Sequence, residues 1–232
     1  MSRLPVFSTA LLAASLALVG CAQGEKTADS AGGGQAGTCS YPSAGRPAKP
    51  VDPPSGGSVA SAGKTAITLT LDGAPVVLTL DRGQAACAVN SFESLAKQGW
   101  YTKTQCHRLT DQRIFVLQCG DPTGTGSGGP GYTFADELGG AATFAKTGQQ
   151  YQGRDMVTYP KGTVAMANSG PNTNGSQIFL VWQDSPLLPD YTVLGTMDEA
   201  SVENVAKVAA EGVAADGTKP NAPGLISDVT MG

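Results

Sequence analysis

Residues 66–81, AITLTLDGAPVVLTLD, set Ile67, Leu69 and Leu71 on one side of an extended chain and threonines on the other. After Asp72-Gly73 the apolar pattern resumes from Val76 to Leu80. A two-residue period is that of a strand with one buried face, and Asp-Gly suits the left-handed backbone of a tight hairpin turn. A lone hairpin is barely stable in water, so this stretch commits the chain to a larger sheet that covers its apolar face.

The residues that follow supply the cover. In ACAVNSFESLAKQGWY, Val89, Phe92, Leu95 and Ala96 fall on one helical stripe, with Gly99 placed as a C-terminal cap. Short strands are expected around 104–109, 114–119, 131–134, 163–167, 177–182 and 191–196. A second helix is expected from Ser201 to Glu211, and LISDVTM as a closing strand. Many short strands with only two helices predict a mainly β fold, an antiparallel barrel rather than a parallel α/β sheet. The 31 glycines and 6% aromatic content fit that reading, and 232 residues suffice for one substantial core.

The first sixty residues read differently. Arg3 precedes an Ala, Leu and Val run from Leu11 to Val19, the pattern of an export signal over residues 1–20. Leu18-Val19-Gly20-Cys21 resembles the lipobox of bacterial lipoproteins, in which the cysteine receives a diacylglycerol and becomes the mature N-terminus. An extracytoplasmic protein, lipid-anchored to the cell membrane at Cys21, is therefore expected. Residues 21–63, with GGGQAG and PAKPVDPPSGG, read as a flexible tether to a domain spanning 64–232. Cys39 and Tyr41 stand out as residues able to pin its end.

Export makes disulfides the first reading of Cys39, Cys87, Cys106 and Cys119, for which three pairings are possible. Cys106 and Cys119 flank a predicted hairpin and are expected to bond, leaving Cys39 with Cys87. No C-x-x-C occurs and there is one His, so no metal site is expected. The net charge of −4 is spread along the chain without a basic stripe, which argues against nucleic acid as a partner.

Three blocks carry the most specific signal: CHRLTDQRIFVLQCGDPTGTGSGGPGYTFADE (106–137), GTVAMANSGPNTNGSQIFLV (162–181) and SPLLPDYTVLG (185–195). Together they resemble the cyclophilin peptidyl-prolyl cis–trans isomerases, particularly secreted actinobacterial ones, over residues 66–232. The resemblance implies an eight-stranded antiparallel barrel closed by two helices, acting without a cofactor and as a monomer on proline-containing unfolded or extended polypeptides.

The implied chemistry is simple. An X-Pro bond turns slowly because amide resonance sets a barrier of ~18–20 kcal/mol. A donor that draws on the nitrogen lone pair of the twisted amide lowers it, and the resemblance assigns that role to Arg108, whose guanidinium is permanently charged. It assigns the proline-ring pocket to Phe115, Val116, Phe179 and Leu188. Val116 stands where the family often has Met, Tyr191 where it often has His, and Leu187 where it often has Trp. Gln118 and Gln177 are implied to bond peptide groups, and Ala167-Asn168 to pair with the substrate backbone like an added strand.

Other readings fit less. A binding protein of the same fold with little turnover would not need Arg108, and a solute-binding lipoprotein would need two α/β lobes. His107 has no nucleophile motif beside it for hydrolysis. GTGSGGPG lacks the GK[ST] of a phosphate loop.

Overall fold

The computed structural model describes residues 36–232. The strands in chain order begin with β1 (Ala36–Gly37), β2 (Val59–Ala60), β3 (Lys64–Leu71) and β4 (Ala74–Asp81), followed by helix α1 (Ala86–Lys97). Next come β5 (Thr104–Gln105), β6 (Arg108–Gln112), β7 (Ile114–Cys119), β8 (Lys146–Tyr151), β9 (Arg154–Tyr159) and β10 (Thr163–Met166). The chain continues through β11 (Ile178–Val181), β12 (Ser185–Leu187), β13 (Val193–Met197), helix α2 (Glu199–Ala210) and β14 (Leu225–Met231).

The β3–β4 hairpin forms as its alternation predicts. Ile67, Leu69, Leu71, Val76, Leu78 and Leu80 are all buried. Asp72 and Gly73 take φ of 45° and 83°, the left-handed pair of a two-residue turn. The Asp72 carboxylate also accepts from the Gly224 and Leu225 N–H groups (3.0 and 2.8 Å), fastening the start of β14 to that turn.

Nine strands run in the order β5-β14-β3-β4-β13-β10-β11-β7-β6, every pairing antiparallel. The two outermost strands, β5 and β6, are consecutive in the chain and separated only by Cys106 and His107. A sheet whose edges lie two residues apart must curl strongly, which makes it barrel-like. The expected eight strands are nine here because Cys106-His107 divides one edge segment into β5 and β6.

Both helices deliver apolar stripes to one core. From α1 these are Val89, Phe92 and Leu95; from α2, Val202, Val205 and Val208. Helix α1 ends with Gly99 at φ +70°, its N–H bonded to Ala96 O (2.9 Å) and that of Trp100 to Leu95 O (2.9 Å). Those two bonds define the expected glycine cap. The start of α1 lacks a local cap, and Glu137, far along the chain, accepts from the Cys87 and Ala88 N–H groups (3.1 and 2.9 Å). Helix α2 begins two residues before the expected Ser201, because Asp198 caps it by accepting from Ser201 N (2.8 Å).

Three expectations are corrected. Residues 131–134 form no strand, only isolated bridges of Tyr132 to Ser43 and Phe134 to Asn174. A second, three-stranded sheet in the order β12-β9-β8 appears where no strand was expected. The β8–β9 hairpin is polar on most of its surface and turns at Gln152-Gly153, so little alternation marks it.

The third correction concerns the tether. The expected signal peptide, the expected lipid site Cys21 and the expected tether up to residue 35 lie outside the described residues. From Gly37 the segment is not free but lies as a strap on the domain. Cys39 is bonded to Cys87, and Tyr41 packs edge-on against Tyr132 and Phe134 while its hydroxyl donates to Cys87 O (2.8 Å). Lys49 Nζ donates to Gly99 O and Trp100 O (2.6 and 2.9 Å) at the C-terminus of α1, where backbone carbonyls favour a cation. A Pro-rich stretch with no periodicity of its own is ordered by these partners.

Candidate functional site

Arg108 opens β6, exposed, and stands opposite Gln118 of β7 in the register. Cross-strand partners share a face, so the guanidinium lies beside the Gln118 amide, with Nη1 3.5 Å from Oε1. Gln118 Nε2 donates to Gln177 Oε1 (2.7 Å), and Gln177 Nε2 donates to the carbonyls of Gly126 and Gly128 (2.9 and 3.0 Å). One polar chain thus runs from the guanidinium to the glycine-rich loop.

That loop is built around Asp121, whose buried carboxylate accepts from the N–H groups of Thr123 (2.7 Å), Thr125 (3.1 Å), Gly126 (2.7 Å) and Gly128 (3.0 Å). Burial disfavours its charge, but the bonds from Thr123, Gly128 and Gly126 outweigh it and pull the pKa down to about 2. A Cβ on Gly128 would lie 1.9 Å from Asp121 Oδ1, and one on Gly120 (φ +95°) 2.3 Å from Ser176 O. Both positions need glycine for close approach. The GTGSGGPG segment is therefore a wrapping of backbone N–H groups, and what they bind is the protein's own carboxylate. Sequence reasoning missed Asp121, although an Asp leading a Thr/Gly-rich run is a signal for such a nest.

Beside the polar chain lies a second apolar cluster, separate from the main core. Val116, Val181 and Phe179 form its floor. Val157 and Tyr159 from β9 and Leu187 from β12 wall one side, with Tyr191 at its margin. Val116 faces Val181 and Gln118 faces Phe179 across the β7–β11 ladder, so the apolar and amide groups share one surface. The Tyr191 ring meets Phe179 edge-on (centroids 5.2 Å). Burial and the Asp190 carboxylate raise the Tyr191 hydroxyl's pKa, while Arg108 acts in the opposite sense.

Two expected members of the pocket are placed elsewhere. Phe115 alternates to the other face of β7 and leans edge-on against Trp182 (5.0 Å). Leu187, rather than Leu188, packs against the cluster, because β12 pairs it with Val157. Leu188 contributes its carbonyl, which accepts from Asp190 N (2.8 Å) and Tyr159 Oη (3.3 Å). The register along SPLLPDYTVLG is thus shifted by one, and the position before the cluster leucine is Pro186.

The loop after β10 is held by its own polar groups. Asn168 Nδ2 donates to Asp190 O (2.9 Å) and Ser169 N to Thr173 Oγ1 (2.8 Å). Asn172 N and Asn174 Nδ2 both bond the Asp136 carboxylate (2.8 and 2.7 Å). Ala167 N donates to Gln177 O (2.9 Å), the last rung before the ladder opens. Among the described residues the N–H and C=O of Asn168 bond to no backbone group, which leaves an unpaired edge beside the cluster.

Both expected disulfides are present, Cys39–Cys87 and Cys106–Cys119, with Cα separations of 5.5 and 4.0 Å. His107, between Cys106 and Arg108, is buried, and neither ring nitrogen has a hydrogen-bond partner among the described residues. Burial lowers its pKa, with the Asp121 charge opposing.

Comparison with known proteins settles the family. The pattern of the family described as cyclophilin type peptidyl-prolyl cis-trans isomerase/CLD matches residues 66–231. The chain belongs to the cyclophilin-type isomerase family. Among cyclophilin relatives, a probable peptidyl-prolyl cis-trans isomerase B of Mycobacterium leprae is 46% identical over 187 residues, 77% of this chain and 61% of the relative. Its Mycobacterium tuberculosis counterpart is 42% identical over 198 residues, covering 83% of this chain and 63% of the relative. The chain thus spans less than two thirds of the length of these cyclophilins. A Cryptosporidium parvum cyclophilin-type isomerase of known structure superposes with a TM-score of 0.57 at 27% identity, covering 73% of this chain and 98% of that one. The same protein in the presence of the dipeptide Ala-Pro gives a TM-score of 0.56.

Proposed function

We propose that this cyclophilin is a peptidyl-prolyl cis–trans isomerase acting on X-Pro bonds in extended segments of exported polypeptides. The observation that carries the reading is the placement of the Arg108 guanidinium beside Gln118, on the surface shared with the Val116, Phe179 and Tyr191 cluster. A proline ring seated on that cluster brings its amide nitrogen toward the guanidinium. Arg108 favours the twisted amide electrostatically, without proton transfer and without a metal or cofactor. The backbone of Asn168 pairs with the residues ahead of the proline, and main-chain pairing accepts many sequences. Gln118 and Gln177 orient peptide groups within the groove.

The protein acts as a monomer at the outer face of the cell membrane, held there by a lipid on Cys21 after removal of residues 1–20. The lipobox-like Leu18-Val19-Gly20-Cys21 supports this placement. A protease-coupled assay on X-Pro peptides tests the activity: acceleration over the uncatalysed rate is expected, and its absence overturns the reading. Replacing Cys21 by Ser tests the anchor, since the wild-type protein should fractionate with membranes and the variant should not.

A further inference from the structure

Next to the proposed proline site is a cavity of about 430 Å³, and one of its walls comes from outside the barrel. Ala44 and Arg46 of the N-terminal strap face Gln118, Gln177 and Asn168 across it. The strap is seated there by three backbone bonds: Ala44 N to Gly131 O (2.8 Å), Ala48 N to Gly129 O (2.9 Å) and Thr133 N to Pro42 O (3.0 Å). Arg46 lies between the first two, directly after Gly45 at φ +98°. Pro47 closes on Gly131 so tightly that a Cβ there would meet it at 2.9 Å. The Cys39–Cys87 bond upstream and Lys49 downstream hold both ends of this stretch.

The charge in the cavity is one-sided. Among the described residues Arg46 is the only charged one lining it, and it has no carboxylate partner there. The carboxylate of Asp121 is already saturated by the loop that wraps it. The remaining lining is backbone, amide and hydroxyl groups, which accept a polar side chain without selecting its charge. Gln118, Ala167, Asn168 and Gln177 belong both to this cavity and to the groove, whereas Val116, Phe179 and Tyr191 do not line it. A chain with its proline on the apolar cluster and its preceding residues along Ala167-Asn168 therefore passes the cavity ahead of the proline.

We propose that Arg46 is a specificity residue, supplied by the strap, that favours substrates with an Asp or Glu side chain ahead of the proline. This rests on the isomerase reading above. The ion pair forms at an exposed guanidinium, so the expected preference is modest, about three- to fivefold at low salt. It shrinks when salt is raised to about 0.5 M, because exposed charges are screened.

The test uses a peptide series with Glu, Gln, Ala or Lys at each of the four positions preceding a single proline. Isomerisation of the series is measured as kcat/KM on the wild type, Arg46→Gln and Arg46→Glu. The proposal expects a Glu-over-Gln preference at one position in the wild type, a ratio near one in Arg46→Gln and a reversal toward Lys in Arg46→Glu. A wild type indifferent to Glu at all positions, or a preference that survives Arg46→Gln, overturns it. Failure of the wild type to turn over any peptide sinks the isomerase reading instead. In that event the Arg46 Nε–H resonance, titrated with the Glu and Gln peptides, decides: a shift specific to Glu supports the cavity assignment, and equal or absent shifts overturn it.

Discussion

Gln118 Nε2 donates to Gln177 Oε1 across 2.7 Å, and the two amides hold each other in one orientation. Gln177 Nε2 is committed to Gly126 O and Gly128 O, so its oxygen is the end left for Gln118. Gln118 Oε1 is then turned toward Arg108. In Gln177→Leu two loop carbonyls and the Gln118 amide lose their partner. Water can replace it at the exposed Gly126 O, while the part-buried Gly128 O and Gln118 amide each cost at most about 1–3 kcal/mol when left unmade. The expected result is a fall of about tenfold in kcat/KM, with faster amide exchange across residues 123–129. Unchanged exchange in that loop would show that the relay does not order it.

Arg108→Ala is expected to abolish most turnover and leave the melting temperature unchanged. The side chain is exposed and forms no ion pair among the described residues, so the core does not depend on it. Loss of one preorganised donor costs about 2.7–4 kcal/mol of barrier, or ~10²–10³ in rate. Arg108→Lys should recover little, because an ammonium does not reproduce the planar fork. An alanine variant with more than half the wild-type kcat/KM would remove the guanidinium from the mechanism.

How much of this was legible in the chain depends on where the information sat. The β3–β4 hairpin, the α1 stripe with its Gly99 cap, and β14 were readable because each carries its own periodicity or turn chemistry. The β8–β9 hairpin was not: its exposed face and most of its inner face are polar, so no period-two signal reaches the sequence. Arg108 and Gln118 were singled out separately by family resemblance, and their pairing across the ladder is given by register alone. Leu187 and Leu188 were exchanged because adjacent leucines in a strand differ only in which face they take, and that is set by pairing with Val157. Cys39 and Tyr41 were expected to pin the strap, but the rest of it was read as flexible because its order comes from partners some fifty residues away, such as Gly99 and Trp100 for Lys49.

His107 should make the protein acid-sensitive just below neutrality. The unfolded histidine binds its proton near the ordinary value of about 6.5, while burial lowers the folded value. As pH falls below about 6.5 the unfolded state therefore takes up more protons, and stability declines until the folded pKa is passed. Asp121 and the Gln177 side chain oppose the shift, and Arg108 and Lys219 reinforce it. His107 is the single histidine in the chain, so its NMR titration reads the folded pKa directly. A folded value at or above 6.5 would refute this account.

Asp121 governs a second, lower window. Its folded pKa of about 2 lies below the unfolded value, so its contribution is complete above about pH 4 and lost as pH falls toward 2. Allowing for solvent screening, the contribution is about 1–2 kcal/mol. Asp121→Asn keeps the shape but accepts through one oxygen where four N–H groups converge. The variant should show a flatter stability profile between pH 4 and 2, and a loosened 123–128 loop at neutral pH. Wild-type stability that stays level from pH 4 to 2 would mean the carboxylate is not held by those bonds.

The two disulfides should fail in different ways when removed. Chain-entropy arguments give about 4 kcal/mol for the Cys39–Cys87 bond, which spans 48 residues, and about 3 kcal/mol for Cys106–Cys119, which spans 13. What each bond closes matters more than its span. Cys106–Cys119 ties the step between β5 and β6 to the end of β7, inside the barrel, so Cys106→Ser with Cys119→Ser should lower the melting temperature of the whole domain. Cys39–Cys87 ties the strap to the first turn of α1, and the barrel strands are complete without it. Opening it allows the strap to release locally, at a cost in global stability below the entropy figure. Hydrogen exchange on Cys39→Ser with Cys87→Ser should therefore lose protection across residues 38–49 while the β3–β4 hairpin keeps its own. Because that strap carries Arg46, the same double variant should also lose the preference for acidic residues ahead of the proline. Equal loss of protection in strap and hairpin would show that the strap is part of the cooperative fold rather than a separately opening unit.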